Sequence, residues 1–299
     1  MASSVFDLAT VIGVVGQIDD FLGGPVTWQA KTTQQQELLR LRAELVEQVR
    51  QLRHLEGLAS NQAADLNTFL IAHNFGALFQ PFADPSEFGA VSLIQEATRW
   101  PQVGLSYPIK TASGQYHGFR LKSRGQFCDF IDGTRLIKMP SGANDQSVMW
   151  VLVAPDAASP ANPFANFLQA YQALASFGGV HVRVQEYASI SMPEESLATT
   201  MPLDWLVGLG RPGGTIIAAQ QEAHLRVDRF GSEARVATSA LVMRGMILNE
   251  HHLVIDTPHL VFWTDVAVQT IPIAVAAFES DVWTPYDAAR AGAENTESQ

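Results

Sequence analysis

The sequence predicts an α+β domain, with helices gathered at the front of the chain and antiparallel strands at the back. Three observations carry that expectation. Leu38, Leu41, Leu45, Val49, Leu52 and Leu55 recur at intervals of three and four, the spacing of one helix face. Val180, Val182 and Val184 alternate with polar residues, the period of a half-buried strand. Hydrophobic residues make up 47% of the 299, enough to build a sizeable core.

Taken in order, residues 5–24 are apolar and stop at Gly23-Gly24-Pro25, which reads as a helix. Residues 34–56 give the clearest helix, with Gly57 as its stop signal. Its polar side alternates Arg40, Arg42, Arg50 and Arg53 with Glu37, Glu44 and Glu47, the pattern of a solvated face. A third helix is predicted over 63–80, broken by Gln80-Pro81. Short strands follow at 90–97, 116–121 and 148–153, and a helix over 164–175 ends at Phe177-Gly178-Gly179. Residues 215–228 form a long strand candidate with Ala223, Leu225 and Val227 on one face. Further strands are predicted at 252–255, 260–263 and 270–278. The tail, 287–299, is small and polar and is expected to be disordered.

Composition narrows the function classes. A net charge of -11 argues against nucleic acid and anionic membrane as partners, because both are held by Lys and Arg. No apolar run approaches the ~20 residues that span a bilayer. The first basic residue is Lys31, so the positive start of a signal peptide is missing and a cytoplasmic location is expected. The single cysteine, Cys128, forbids an intramolecular disulfide. Set between Phe127 and Phe130, it reads as a small core residue, since a reactive thiolate needs a neighbouring base or cation.

Three chemical motifs are weighed and set aside. Gly208-x-Gly210-x-x-Gly213 matches a dinucleotide fingerprint by letters, but it follows 203–207, which reads as helix, and Pro212 interrupts it. His251-His252 would point to opposite faces of a strand and so would not share a metal ion. Ser106 in Gly-Leu-Ser-Tyr-Pro lacks the last glycine of a nucleophile elbow. The expectation is therefore no catalytic residue, no metal and no cofactor.

The segment from Gln221 to Thr238, QEAHLRVDRFGSEARVAT, carries the strongest signal. It resembles the hinge of the serpin family, where a strand leads into Asp-Glu-x-Gly-[Ser/Thr]-Glu-Ala and a run of small residues. Asp228, Gly231, Ser232, Glu233, Ala234, Ala237 and Thr238 match, and Arg229 stands where the family usually has Glu. Thr257-Pro258-His259-Leu260-Val261-Phe262-Trp263 is similar to the family's Pro-Phe-[Leu/Val]-Phe strand, and 271–278 to its closing strand. Leu66-Asn67-Thr68-Phe69-Leu70 with Asn74 and Gly76 is similar to a family helix, with Asn74 replacing Thr, and Trp100 fits a tryptophan that follows a central strand. The resemblance spans 66–283; ahead of Leu66 the chain is shorter than a full serpin of the bacterial type.

The resemblance implies one serpin-like domain over 1–286, with helices around a dominant central sheet, smaller sheets, and an exposed reactive loop over about 232–249. It implies a serine protease as partner, a role as inhibitor by loop cleavage and sheet insertion, and no enzymatic activity. An extracellular location would also suit the family. The alternative is a binding protein that keeps the fold without trapping, which the short front half and Arg229 favour. The hinge set is Gly231, Ser232, Glu233, Ala234, Val236, Ala237 and Thr238. If Ser232 faces inward, strand alternation turns Ala234, Val236 and Thr238 inward too, and sends Glu233 and Arg235 outward. The scissile region holds Arg244, Gly245, Met246 and Ile247: spacing gives Gly245-Met246 or Met246-Ile247, and the basic side chain of Arg244 gives Arg244-Gly245 for a trypsin-like protease. Met246 would point to chymotrypsin- or elastase-like targets.

Overall fold

The computed structural model describes residues 3–76, 79–142, 145–154, 162–179, 182–232 and 251–287. They fall into two compact bodies, one of residues 7–95 with 200–222 and one of 1–6, 96–199 and 223–299.

In the 7–95 body, helix α1 (Leu8–Phe21) opens with Asp7, whose carboxylate accepts the backbone N–H of Thr10 at 2.7 Å. Helix α2 (Thr33–Val49) opens likewise, with Thr32 accepting from Gln35 N. Leu38, Leu41, Leu45 and Val49 of α2 are buried, as the periodicity predicts. Buried Asp19 of α1 accepts from Trp28 Nε1 at 2.9 Å and pairs with Arg42 of α2, so its charge is compensated. Gln35 of α2 is fully buried and donates to the carbonyls of Trp205 and Val207.

The first apolar run is a strand, Ser4–Phe6, followed by α1, because Asp7 caps a new helix inside it. The second helix ends at Val49, not at 56. Leu52 and Leu55 continue its apolar spacing, but 55–60 is the strand Leu55–Ser60, paired antiparallel with Gly89–Ile94. Gly57 is therefore no helix stop. It lies in that strand, where a Cβ would stand 2.9 Å from Gln17 of α1, and its bare backbone lets the helix rest on the strands. Helix α3 (Ala63–Ala72) is shorter than 63–80. It ends in a Schellman turn: Asn74 is left-handed (φ 64°), Asn74 N donates to Ile71 O, and Phe75 N donates to Leu70 O. Phe75 then packs on Leu66, Leu70 and Val91.

In the other body a seven-stranded sheet dominates. Its order is Ser4–Phe6, Ile273–Phe278, His259–Asp265, Ser147–Val153, Arg135–Lys138, Gly125–Asp129, Val184–Tyr187, and every neighbouring pair is antiparallel. His259–Asp265 is buried throughout, and Ser147–Val153 nearly so, which explains continuous apolar runs in place of alternation. Helix α4 (Pro163–Ser176) covers one end; Asn162 caps it, Pro163 begins it, and Phe164 and Phe167 meet the ring of Phe6 edge-on. The predicted strand 116–121 is split into Gly114–Tyr116 and Gly118–Leu121. A smaller sheet has the order His252–Val254, Ser189–Pro193, Gly118–Leu121, Leu105–Ser106, its first pair parallel.

A second four-stranded sheet has the order Glu195–Pro202, Gln220–Asp228, Gly231–Ser232, Thr98–Arg99, of which residues 195–199, 223–228, 231–232 and 98–99 belong to this body. The long strand begins at Gln220, not at 215, because Gly214–Thr215 belongs to a separate hairpin with Gly210–Arg211. No helix among the described residues is long and apolar enough to cross a membrane.

Candidate hinge and loop-entry site

The strand Gln220–Asp228 keeps the predicted alternation, with His224 and Arg226 exposed between half-buried Ala223 and Leu225 and fully buried Val227. It ends in an aspartate turn. Asp228 Oδ1 accepts from Phe230 N at 2.7 Å and from Gly231 N at 3.3 Å, while its carbonyl accepts from Trp100 Nε1 at 2.8 Å. Arg226 pairs with the same carboxylate at 2.8 Å. Arg229, the departure from the family pattern, offers its carbonyl to Gly104 N at 2.6 Å and stacks its guanidinium over the Phe230 ring.

Beyond the turn the chain reverses. Ser232 pairs with Val227 and Gly231 with Asp228, and on the other side Gly231 pairs with Arg99 and Ser232 with Thr98. The first two hinge residues thus form a short strand between two others. Gly231 is required there: a Cβ would lie 2.6 Å from the carbonyl oxygen of Thr98. Ser232 is 2% exposed, and its hydroxyl accepts from Trp263 Nε1 at 2.9 Å. Beneath them Ser147 Oγ donates to Ala97 O at 2.6 Å, and Thr98 Oγ1 lies 3.3 Å from Ser147 Oγ, so the polar atoms of the slot are satisfied.

No family model matches the sequence, and no curated protein matches it. Solved structures do. Serpin48 of the insect Tenebrio molitor aligns with TM-score 0.58 at 10% identity, over 93% of this chain and 91% of that one. The chain has the serpin fold. Uncleaved ovalbumin aligns with TM-score 0.55 at 11% identity, over 92% of each chain. The mouse protein-Z dependent protease inhibitor aligns with TM-score 0.51 at 11% identity, over 93% of this chain and 90% of that one.

Within this serpin fold the two described hinge residues, Gly231 and Ser232, lie in the four-stranded sheet with Gln220–Asp228 and Thr98–Arg99, and not in the seven-stranded sheet. Glu233, Ala234, Val236, Ala237 and Thr238, and the scissile candidates Arg244, Gly245, Met246 and Ile247, lie outside the described residues, as does the tail from 288. After the loop, the ring of His251 meets Phe127 edge-on, and His252 Nδ1 is 2.6 Å from Ser189 Oγ. These two histidines share no ion site, and among the described residues no group of three His, Cys, Asp or Glu side chains is arranged for a metal.

The remaining set-aside motifs take ordinary roles. Gly210 and Gly213 belong to a hairpin turned by Pro212-Gly213, and 203–207 contains only the short 3-10 turn Asp204–Leu206, so no strand, glycine turn and helix surround them. Cys128 is fully buried in the seven-stranded sheet, and burial pushes its thiol up to about 11, which keeps it protonated and unreactive. Ser106 is on an edge strand. Sequence reasoning missed Trp263 as the donor to Ser232; its only signal was its place in the strand after the loop.

Proposed function

We propose that this serpin-fold protein presents the loop over about 232–249 to a serine protease and traps it by inserting the cut loop as a strand, acting through binding and not as an enzyme. The observation that carries this reading is the seated pair Gly231–Ser232, held between the strands Gln220–Asp228 and Thr98–Arg99. Continuing the register in which Val227 faces Ser232 would set Glu233 opposite Arg226, Ala234 opposite Leu225 and Val236 opposite Ala223. The first is an opposite-charge pair on the exposed side, and the other two are small or β-branched residues against apolar ones, so the pattern suits a strand. One of the structural neighbours is named as a protease inhibitor, which supports the same reading.

A second reading, binding without trapping, is favoured by Arg229. Its carbonyl bond to Gly104 and its stack on Phe230 pin the turn that insertion must turn about.

Incubation with trypsin-, chymotrypsin- and elastase-like proteases, followed by a denaturing gel, separates the two. Trapping gives a covalent band at the summed mass, and the cut protein melts at a higher temperature because the new strand completes backbone hydrogen bonds. Clean cleavage with an unchanged melting temperature leaves the binding protein. Mass spectrometry of the fragments distinguishes a cut after Arg244 from one after Gly245 or Met246. Ala234→Arg should turn an inhibitor into a substrate, since a charge would have to enter the sheet.

A further inference from the structure

His259 and Glu195 are both completely buried and have their side chains together, Nε2 and Oε1 3.0 Å apart. Trp283 Nε1 donates to the same Oε1 at 2.9 Å, and His259 Nδ1 lies 2.9 Å from the carbonyl of Thr257. The rings of Phe278 and Trp283 pack on the imidazole at 6.2 Å each, closing the site to water. Glu195 Oε2 has no hydrogen-bond partner. At 3.0 Å a protonated Nε2 and the Glu195 carboxylate attract each other strongly in so dry a site.

Such a site holds one proton comfortably. With one, the pair is neutral overall; with none, Glu195 is a bare carboxylate in an apolar core, the costliest arrangement for a buried charge. The pair's location makes this consequential. Glu195 begins Glu195–Pro202, the neighbour of the hinge strand Gln220–Asp228. His259 begins His259–Asp265, the strand that also sends Trp263 to Ser232. One strand of the large sheet thus grips the hinge sheet at two points, one polar and neutral, the other ionisable.

We propose that the His259–Glu195 pair is an alkaline-labile latch between the strand that follows the loop and the strand that flanks the hinge. The groups facing it are few. Among the described residues Glu195 is the one charged group paired with His259; the other side chains and the carbonyl against it come from Trp283, Phe278 and Thr257. Tyr116 packs on the far side of Trp283, and Glu194 and His117 are joined through their backbones next to it. Burial opposes charge on the imidazole, but the Glu195 carboxylate and the Thr257 carbonyl outweigh it and hold the pKa above its ordinary value. A raised folded-state pKa contributes stability that is complete below about pH 6.5, the unfolded value, and is lost as pH rises through the folded one.

The test is thermal and urea unfolding of the intact chain from pH 6 to pH 9.5, without any protease, so its outcome is independent of trapping. The unfolding constant of the wild type should rise about tenfold per pH unit relative to Glu195→Leu/His259→Phe over the window between the two pKa values. Parallel profiles for the two proteins would overturn the latch. Should the double variant fail to fold, nitrogen NMR of the imidazoles in the wild type decides. One of the eight histidines should stay protonated when the others have titrated, and its signal should vanish in His259→Gln. If all eight titrate at or below the ordinary range, the proposal is wrong.

Discussion

The seven-stranded sheet and the four-stranded hinge sheet differ in almost every respect that governs strand stability. Ser147–Val153 and His259–Asp265 run alongside each other through six residue pairs, and both lie deep in the core. Among the described residues Gly231–Ser232 has two pairs on each side, set by the turn at Asp228. The first two strands are therefore fixed by packing in the core, whereas the two described hinge residues are held by the turn at Asp228, the close approach to Thr98, the pairing on either side and the Trp263 hydrogen bond. A segment held in that second way can exchange neighbours without dismantling a core, whereas the first cannot.

Phe262→Ala in the large sheet empties a fully buried ring site beside Trp150 and should lower stability by about 3–5 kcal/mol in urea unfolding. A loss under 1 kcal/mol would mean that the dominant sheet is not the rigid partner. Gly231→Ala drives a methyl toward the Thr98 carbonyl and should cost about 1–3 kcal/mol, or push the two hinge residues out of the ladder. Amide exchange at Ser232 distinguishes the two results, and unchanged stability with unchanged protection contradicts the close approach. Trp263→Phe removes the indole donor to Ser232 together with part of a buried ring and should cost about 1–3 kcal/mol. An effect as large as that of Phe262→Ala would show that the indole matters through packing and not through the hinge.

Legibility in the sequence followed the same division. The long strands were readable because apolar runs such as 148–153 and 260–263 are short and rich in valine and aromatic residues, as buried strands are. The alternation of Ala223, Leu225 and Val227 survived intact, because one side of that strand is wet. The strand Leu55–Ser60 was not readable: its leucines continue a helical spacing, and only its partner Gly89–Ile94 makes it a strand. Ser4–Phe6 is three residues long and takes its identity from Val275, Ala276 and Ala277 across the sheet. The hinge was legible as an ordered set of residue types around Asp228, Gly231 and Ser232. Its supports were not, because Trp263 to Ser232 spans 31 positions and Trp100 to Asp228 spans 128, and no local pattern records such a meeting.

The turn at Asp228 also fixes a direction and a distance of travel. In forming any hairpin the slow, entropically opposed event is the first pairing, and here Val227 and Ser232 have already met. Further residues would be laid down one after another, antiparallel to Gln220–Asp228, with no new search. Seven further residues would reach Gln220, where that strand begins, so at about 3.3 Å per residue the pairing would carry the loop on the order of 20 Å, away from Arg229 and Phe230.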